Sequence, residues 1–288
     1  MPEPEIGAVA VIGAGTMGHG IAQVCAMAGC RVSIFDPQPG AAERGVEKVR
    51  ENLDKGVERG KVTPEQRGMA LGQLGRAATL RDAVAGADLV IEAAPEAMEL
   101  KRQIFTEVAG AAPGHAILAT NTSSLSVSRI AEAAGAPERV IGLHFFNPVH
   151  LMKLLEVVRG QGTAQETVDA SLAFARRIGK EPIVVTDTPG FASSRLGVVL
   201  GLEAMRMVEQ GVASPQDIDR AMELGYNHPM GPLRLTDVVG LDVRLGIAEY
   251  LHAELGGEQY RPPELLRRMV AEGKLGKKSG QGFYAWEG

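Results

Sequence analysis

Aromatic residues make up only 4% of this 288-residue sequence, and one of them is the single tryptophan. Its core must therefore rest on Val, Leu, Ile, Ala and Met rather than on rings. Cysteine is almost absent, with Cys25 and Cys30 alone. Two thiols exclude a disulfide framework and a four-thiolate metal centre. Both lie in apolar stretches, where a free cysteine behaves as a small buried hydrophobe. A basic excess is missing too: 30 Lys and Arg face 35 Asp and Glu, for a net charge of −5. A chain that neutralises many nucleic-acid phosphates needs the opposite balance, so no nucleic-acid partner is expected. The longest apolar stretch, residues 191–208, contains Arg195, Glu203 and Arg206, too many charges for a membrane span. The opening Met-Pro-Glu-Pro-Glu has neither the basic start of a secretory signal nor the Arg-rich bias of a transit peptide. A cytoplasmic protein without membrane contact is the expectation.

What is present is the composition of a packed globular protein, 45% hydrophobic and 23% charged. Glycine is plentiful, at 36 residues, and points to many tight turns and close backbone approaches. In the first half, short apolar runs read as strands at 8–12, 31–36, 88–92, 116–120, 140–145 and 154–158. Near-continuous apolar runs suit strands buried on both faces, as in a parallel sheet. Helical patterns at 18–28 and 40–59 alternate with them, which argues for an α/β fold with crossover helices. The turn signal Asp187-Thr-Pro-Gly190 then marks a change. Beyond it the apolar spacing is helical, with further helices predicted at 217–224, 238–255 and 263–272 and a strand at 283–286. The predicted boundary separates an α/β domain, residues 1–186, from a smaller helical one, residues 187–288.

Gly13-Ala14-Gly15-Thr16-Met17-Gly18 matches G-x-G-x-x-G between a predicted strand and a predicted helix. The first glycine permits the turn and the second lets backbone approach a pyrophosphate. The third allows close helix–strand packing, and the helix N-terminus favours the anion. Asp36 closes the next strand, where a carboxylate holds both ribose hydroxyls of an adenosine and repels a 2′-phosphate. NAD is the expected cofactor.

His144 ends an apolar strand, and Asn147-Pro148 then marks a reversal before a second strand carrying Glu156. If those strands neighbour each other, the carboxylate can orient the imidazole and stabilise it after it takes a proton. A base of this kind is what alcohol oxidation by a nicotinamide requires. A half-buried histidine beside an unrelated surface glutamate fits the spacing equally well. Asn121-Thr-Ser-Ser124 follows another strand and could present hydroxyls at the same sheet edge, or simply form a polar loop. No G-x-S-x-G elbow supports a serine hydrolase. The six histidines include no i, i+4 pair, so no metal site is expected.

Taken together, these residues resemble the L-3-hydroxyacyl-CoA dehydrogenase family. The resemblance runs in order along the chain: GAGTMG at 13–18, NTSSL at 121–125, GLHFFNPVHLMKLLEVV at 142–158, DTPGF at 187–191, HPMGPLRLTDVVGLD at 228–242 and GKKSGQGFY at 276–284. It implies a Rossmann-like, mostly parallel sheet domain followed by an all-helical C-terminal domain that forms most of a homodimer interface. It implies reversible NAD-dependent oxidation of a short-chain L-3-hydroxyacyl-CoA, such as 3-hydroxybutyryl-CoA, to the 3-ketoacyl-CoA.

By position, His144 matches the family's catalytic base and Glu156 the acid that orients it. Ser123 matches a serine near both nicotinamide and substrate. Glu96, Lys101, Asn147 and Lys278 match cofactor positions, while Asn52 and Arg59, on the charged predicted helix, match positions associated with coenzyme A. One residue departs from the pattern: Ser194 stands where the family usually has an asparagine that helps hold the substrate. A serine hydroxyl is shorter and lacks the planar amide, which bears on substrate choice and turnover rate rather than on the reaction class. Two other readings remain open at this level. One is a dehydrogenase of a free hydroxy acid on the same scaffold, and the other is a non-catalytic NAD-binding protein.

Overall fold

A computed structural model describes residues 6–287. The chain divides into two compact units, Met1–Asp187 and Thr188–Gly288. The first contains eight strands: β1 (Ala8–Ile12), β2 (Arg31–Phe35), β3 (Leu74–Arg76), β4 (Leu89–Glu92), β5 (Ile117–Thr120), β6 (Val140–Phe145), β7 (Leu154–Arg159) and β8 (Glu181–Thr186). They form one sheet in the order β3-β2-β1-β4-β5-β6-β7-β8. The first six in that order are mutually parallel; β7 runs antiparallel to β6, and β8 parallel to β7. Every residue of β1, β4, β5 and β6 is buried, which is why their sequences are apolar without alternation. β3 escapes a reading of the sequence because it is three residues long, lies at the sheet edge and is largely exposed.

Seven helices accompany this sheet: α1 (Thr16–Met27), α2 (Ala41–Glu58), α3 (Pro64–Gly72), α4 (Leu80–Val84), α5 (Met98–Ala111), α6 (Val127–Ala134) and α7 (Gln165–Arg177). Local chemistry sets their ends. Thr63 caps α3 in a reciprocal capping box with Gln66, and Pro64 occupies the first helical position. Asp187, just beyond β8, accepts from the Ser126 hydroxyl and from the backbone N–H of Val127 and Ser128, so it caps α6 from a distant part of the chain. Cys25 and Cys30 are buried free thiols. Burial, reinforced by neighbouring Cys30, pushes the Cys25 thiol far up, leaving it an unreactive apolar filler.

The second unit is helical, with α8 (Ser193–Glu209), α9 (Pro215–Gly225), α10 (Pro232–Val239), α11 (Leu241–Leu255) and α12 (Glu264–Ala271) around Val198, Leu202, Met205, Ile218, Leu233 and Leu251. Two sequence expectations are corrected here. The single helix expected over 238–255 is broken at Gly240, whose φ of +105° is incompatible with a continuing helix. Apolar periodicity does not register one such residue. The strand expected at 283–286 is not formed either; this segment has only an isolated bridge at Ala285. Its donors go to one buried carboxylate instead. Asp237 accepts from Phe283 N (2.9 Å), Tyr284 N (2.9 Å) and Trp286 Nε1 (2.8 Å). A carboxylate satisfying three donors takes the place of a sheet ladder.

Asp237→Ala should therefore cost on the order of 2 kcal/mol, because three partly buried N–H groups lose their acceptor. Trp286 is the chain's only tryptophan, so its fluorescence should shift to the red before the far-ultraviolet signal melts. An unchanged melting curve would show that the segment is held by other contacts.

Candidate active site

The sheet's order and direction bring the carboxyl ends of β1, β4, β5 and β6 to one edge. In an open α/β sheet, that edge is where ligands bind. After Ile12 the chain turns at Gly13, where φ is +101° and a Cβ would lie 2.7 Å from the Ala93 carbonyl oxygen. A Cβ on Gly18 would meet the Gly13 oxygen at 1.8 Å, whereas one on Gly15 would meet nothing within 4 Å. The turn is thus closed where it packs and open at Gly15, the shape that admits a phosphate to the start of α1. Asp36 is fixed by Ala14 N on one oxygen and Gln38 N on the other, both at 2.9 Å. Together the turn and Asp36 line a cavity of about 1080 Å³ with apolar walls that include Leu80, Leu100 and Ile104. Gly13, Ala14, Gly15, Thr16, Met17 and Asp36 all face it, and the volume suits a dinucleotide. Gly18 supports the turn from behind.

At the ends of β4 and β5, charge is buried. Lys101, on α5, donates to Glu92 Oε1 at 2.7 Å and to the Ala94 carbonyl at 3.3 Å, and lies 3.5 Å from Glu96 Oε2. Glu96 Oε1 in turn accepts from Thr122 Oγ1 (2.6 Å), Ser123 N (2.9 Å) and Ser124 N (3.2 Å). Three sequence-predicted residues, Glu96, Lys101 and Ser123, therefore belong to one network. Asn121 adds a tie to the next strand, its Oδ1 accepting from Phe145 N at 2.9 Å.

On β6 and β7, His144 stands directly opposite Glu156 in the antiparallel register. His144 Nδ1 lies 2.7 Å from Glu156 Oε2, with the histidine 5% exposed and the glutamate fully buried. Phe146 covers the ring at 4.5 Å between centroids. The loop that follows, which includes Asn147 and a cis Asn147–Pro148 bond, is closed by Lys180. Lys180 Nζ donates to the Met152 carbonyl at 2.7 Å and to that of Val149. Burial draws this ammonium below the ordinary lysine value. The Glu156 carboxylate on Nδ1 fixes the orientation of the His144 ring at this edge of the sheet.

The other sequence-predicted residues are less enclosed. Asn147 is exposed, as is Arg59 at the C-cap of α2. Asn52 donates its amide to Gln23 Oε1 at 3.1 Å. Ser194 and Lys278 belong to the second unit, Ser194 in the first turn of α8 and Lys278 paired with Asp242 at 2.7 Å. Sequence reasoning missed Glu92, Lys180 and Asp242. Glu92 alone left a trace: it is a charge within an otherwise apolar buried strand, which is tolerated only with a partner. Among the described residues no group of three or more His, Cys, Asp or Glu could hold a metal ion, and no helix is long and apolar enough to cross a membrane.

Comparison with known proteins assigns this architecture. Residues 8–188 match the NAD-binding domain of 3-hydroxyacyl-CoA dehydrogenase, and residues 190–286 match its C-terminal domain. A probable 3-hydroxybutyryl-CoA dehydrogenase of Bacillus subtilis is 47% identical over 283 residues, covering 98% of both chains. The 3-hydroxybutyryl-CoA dehydrogenase of Bradyrhizobium diazoefficiens is 43% identical, covering 97% of this chain and 95% of the relative. The crystal structure of (S)-3-hydroxybutyryl-CoA dehydrogenase from Ralstonia eutropha superposes with a TM-score of 0.94 at 41% identity, covering 99% of this chain and 100% of that one. With both domains matched in order along nearly its whole length, the chain belongs to the NAD-dependent 3-hydroxyacyl-CoA dehydrogenase family.

Proposed function

We propose that the protein interconverts a short-chain L-3-hydroxyacyl-CoA, such as 3-hydroxybutyryl-CoA, and its 3-ketoacyl-CoA, with His144 as general base and acid. The observation that carries this reading is the buried 2.7 Å contact between His144 Nδ1 and Glu156, at the carboxyl edge of an NAD-binding sheet. Bound NAD supplies the hydride acceptor. The glycine turn with Asp36 would hold its adenosine and pyrophosphate, and Glu96, Asn147 and Lys278 are assigned to its nicotinamide half by their positions in the family.

In the oxidative direction, His144 Nε2 takes the proton from the 3-hydroxyl while Glu156 keeps Nδ1–H in place and stabilises the imidazolium. In the reductive direction the same imidazolium returns the proton to the nascent alkoxide. Ser123 is assigned to the reacting oxygen and the thioester end, and Ser194 to the substrate contact usually made by asparagine. Asn52 and Arg59 are assigned to the coenzyme A moiety. The working form is a cytoplasmic homodimer. Large exposed apolar side chains on the second unit, such as Leu196 (66% exposed) and Tyr226 (75%), favour burial against a second copy, and sedimentation velocity should show twice the monomer mass.

Adding acetoacetyl-CoA to enzyme and NADH should abolish absorbance at the NADH band, whereas acetoacetate or NADPH should not substitute. Turnover of free acetoacetate would favour a hydroxy-acid dehydrogenase, and NADH binding without consumption would mean a non-catalytic protein. His144→Ala should lower turnover by a hundred- to ten-thousand-fold with NADH binding retained; loss of binding instead would make the residue structural. Glu156→Gln should also impair turnover, and a fully active variant would remove the carboxylate from the mechanism. Asp36→Ala should narrow the preference for NADH over NADPH, because the charge that repels a 2′-phosphate is gone. An unchanged ratio would place cofactor selection elsewhere.

A further inference from the structure

In the second unit, α11 buries Leu241, Arg244, Ala248 and Leu251 along one face. Three of these are the apolar groups such a face requires, and the fourth is a guanidinium, 5% exposed. Its Nε is sealed from solvent with no hydrogen-bond partner, and among the described residues Arg244 enters no ion pair. Burial draws its pKa down to about 10, which still leaves it charged at neutral pH. The buried carboxylates of the unit are engaged elsewhere: Asp219 accepts from Leu233 N and Arg234 N, and Asp237 from the chain's last residues. Asp242, at the start of the same helix, pairs with Lys278 at 2.7 Å. A buried charge without a counter-charge is costly, so this arrangement calls for an anion from outside the chain.

The side chain also has a direction. A Cβ on Gly201 would lie 3.6 Å from Arg244 Nε, and one on Gly197 would lie 3.4 Å from Nη1. The guanidinium therefore runs along α8 from Gly201 toward Gly197, over two positions where a larger residue would press on it. Ser194 precedes Gly197 on that face by one turn, a rise of about 4.5 Å, and lies in the first turn of the helix. The forked end of Arg244 is thus aimed at the turn of Ser194, where the positive end of the helix dipole adds to the attraction for an anion. Because Nε is the sealed atom, that fork is the part of the group a ligand can meet. A serine at 194 leaves more space there than the asparagine usual in the family.

We propose that Arg244 receives the carboxylate of an acyl chain that itself ends in a carboxylate, and that the substrates of this protein include 3-hydroxyacyl-CoA thioesters of that dicarboxylic class. The inference rests on the assignment of Ser194 to the substrate under Proposed function. A planar fork of N–H donors matches a carboxylate in two parallel bonds, which a methyl group cannot form. The phosphates of coenzyme A are assigned to Asn52 and Arg59, in the first unit, so the anion at the turn of Ser194 belongs to the acyl end of the thioester. A chain ending in methyl would leave the guanidinium unpaired, and a site built around a polar group discriminates strongly against a ligand that lacks its partner.

The test compares 3-oxoadipyl-CoA with 3-oxohexanoyl-CoA, chains of equal length that end in carboxylate and in methyl. With NADH, the wild-type protein should show a kcat/KM at least tenfold higher for the carboxylate-ended chain. Arg244→Met should lower that ratio at least tenfold, and the ratio is insensitive to the fraction of the variant that folds. If Arg244→Met yields no folded protein, Arg244→Gln removes the same charge with a polar side chain and carries the same expectation. A wild-type ratio near one, or a ratio unchanged by the substitution, would overturn the proposal. Loss of the dimer in Arg244→Met with the ratio unchanged, seen by sedimentation velocity, would instead assign the guanidinium to a second copy of the chain. Adipyl-CoA and hexanoyl-CoA, which lack the ketone, separate the inference from the reading beneath it. Calorimetric binding at least tenfold tighter for adipyl-CoA, and lost in Arg244→Met, supports the carboxylate site even in a protein that turns over no ketone. Equal binding of the two, with rapid turnover of acetoacetyl-CoA, removes this inference alone.

Discussion

The antiparallel pairing of β6 with β7 is the constraint on which the proposed catalytic pair depends. Five preceding strands run parallel with β6, and the chain then reverses within a short loop instead of crossing over through a helix. That reversal puts residues 144 and 156 across from each other in the ladder. Cross-strand partners have side chains on the same face of the sheet, so a histidine and a glutamate twelve residues apart become a bonded pair. A slip of one residue would turn Glu156 to the opposite face and leave both groups buried without each other. The carboxylate is affordable in that interior only because the imidazole meets it there.

Buried polar groups recur wherever the molecule must hold a loop still. Glu92 and Lys101 do so behind the serine loop, Asp187 at the start of α6, Lys180 under the segment after β6, and Asp237 at the chain's last residues. In each case one charged group satisfies several backbone or hydroxyl partners. Such a group costs desolvation and returns orientation, because each bond fixes an angle as well as a distance. The apolar strands provide the rigid frame, and these charges set the loops that leave it.

Much of the fold was legible because its strands are buried on both faces. Six apolar runs coincide closely with β1, β2, β4, β5, β6 and β7, and the glycine turn was unmistakable between strand and helix. Besides β8 and helices α3, α4, α5 and α7, which were not picked out either, the elements that escaped include some whose stability is not local. β3 is an exposed edge, Gly240 interrupts a helical pattern with one positive φ, and residues 283–286 are gathered by a carboxylate nearly fifty positions earlier. Of the proposed site residues, His144 and Glu156 were candidates by type and position and Ser123 by resemblance to the family, whereas the network around Ser123 was not legible.

By itself, then, the sequence determined many of the elements and the dinucleotide-binding turn with Asp36, since these depend on residue type and local spacing, and its motifs carried the resemblance to the family. It left open whether His144 and Glu156 form a pair or stand apart, because two strands can be adjacent in the chain without being adjacent in register. It also left open where the Lys101 ammonium points. Only the tertiary structure decided both, for one physical reason: a buried charge takes its meaning from the partner opposite it, and that partner is supplied by strand register and helix packing rather than by neighbours along the chain.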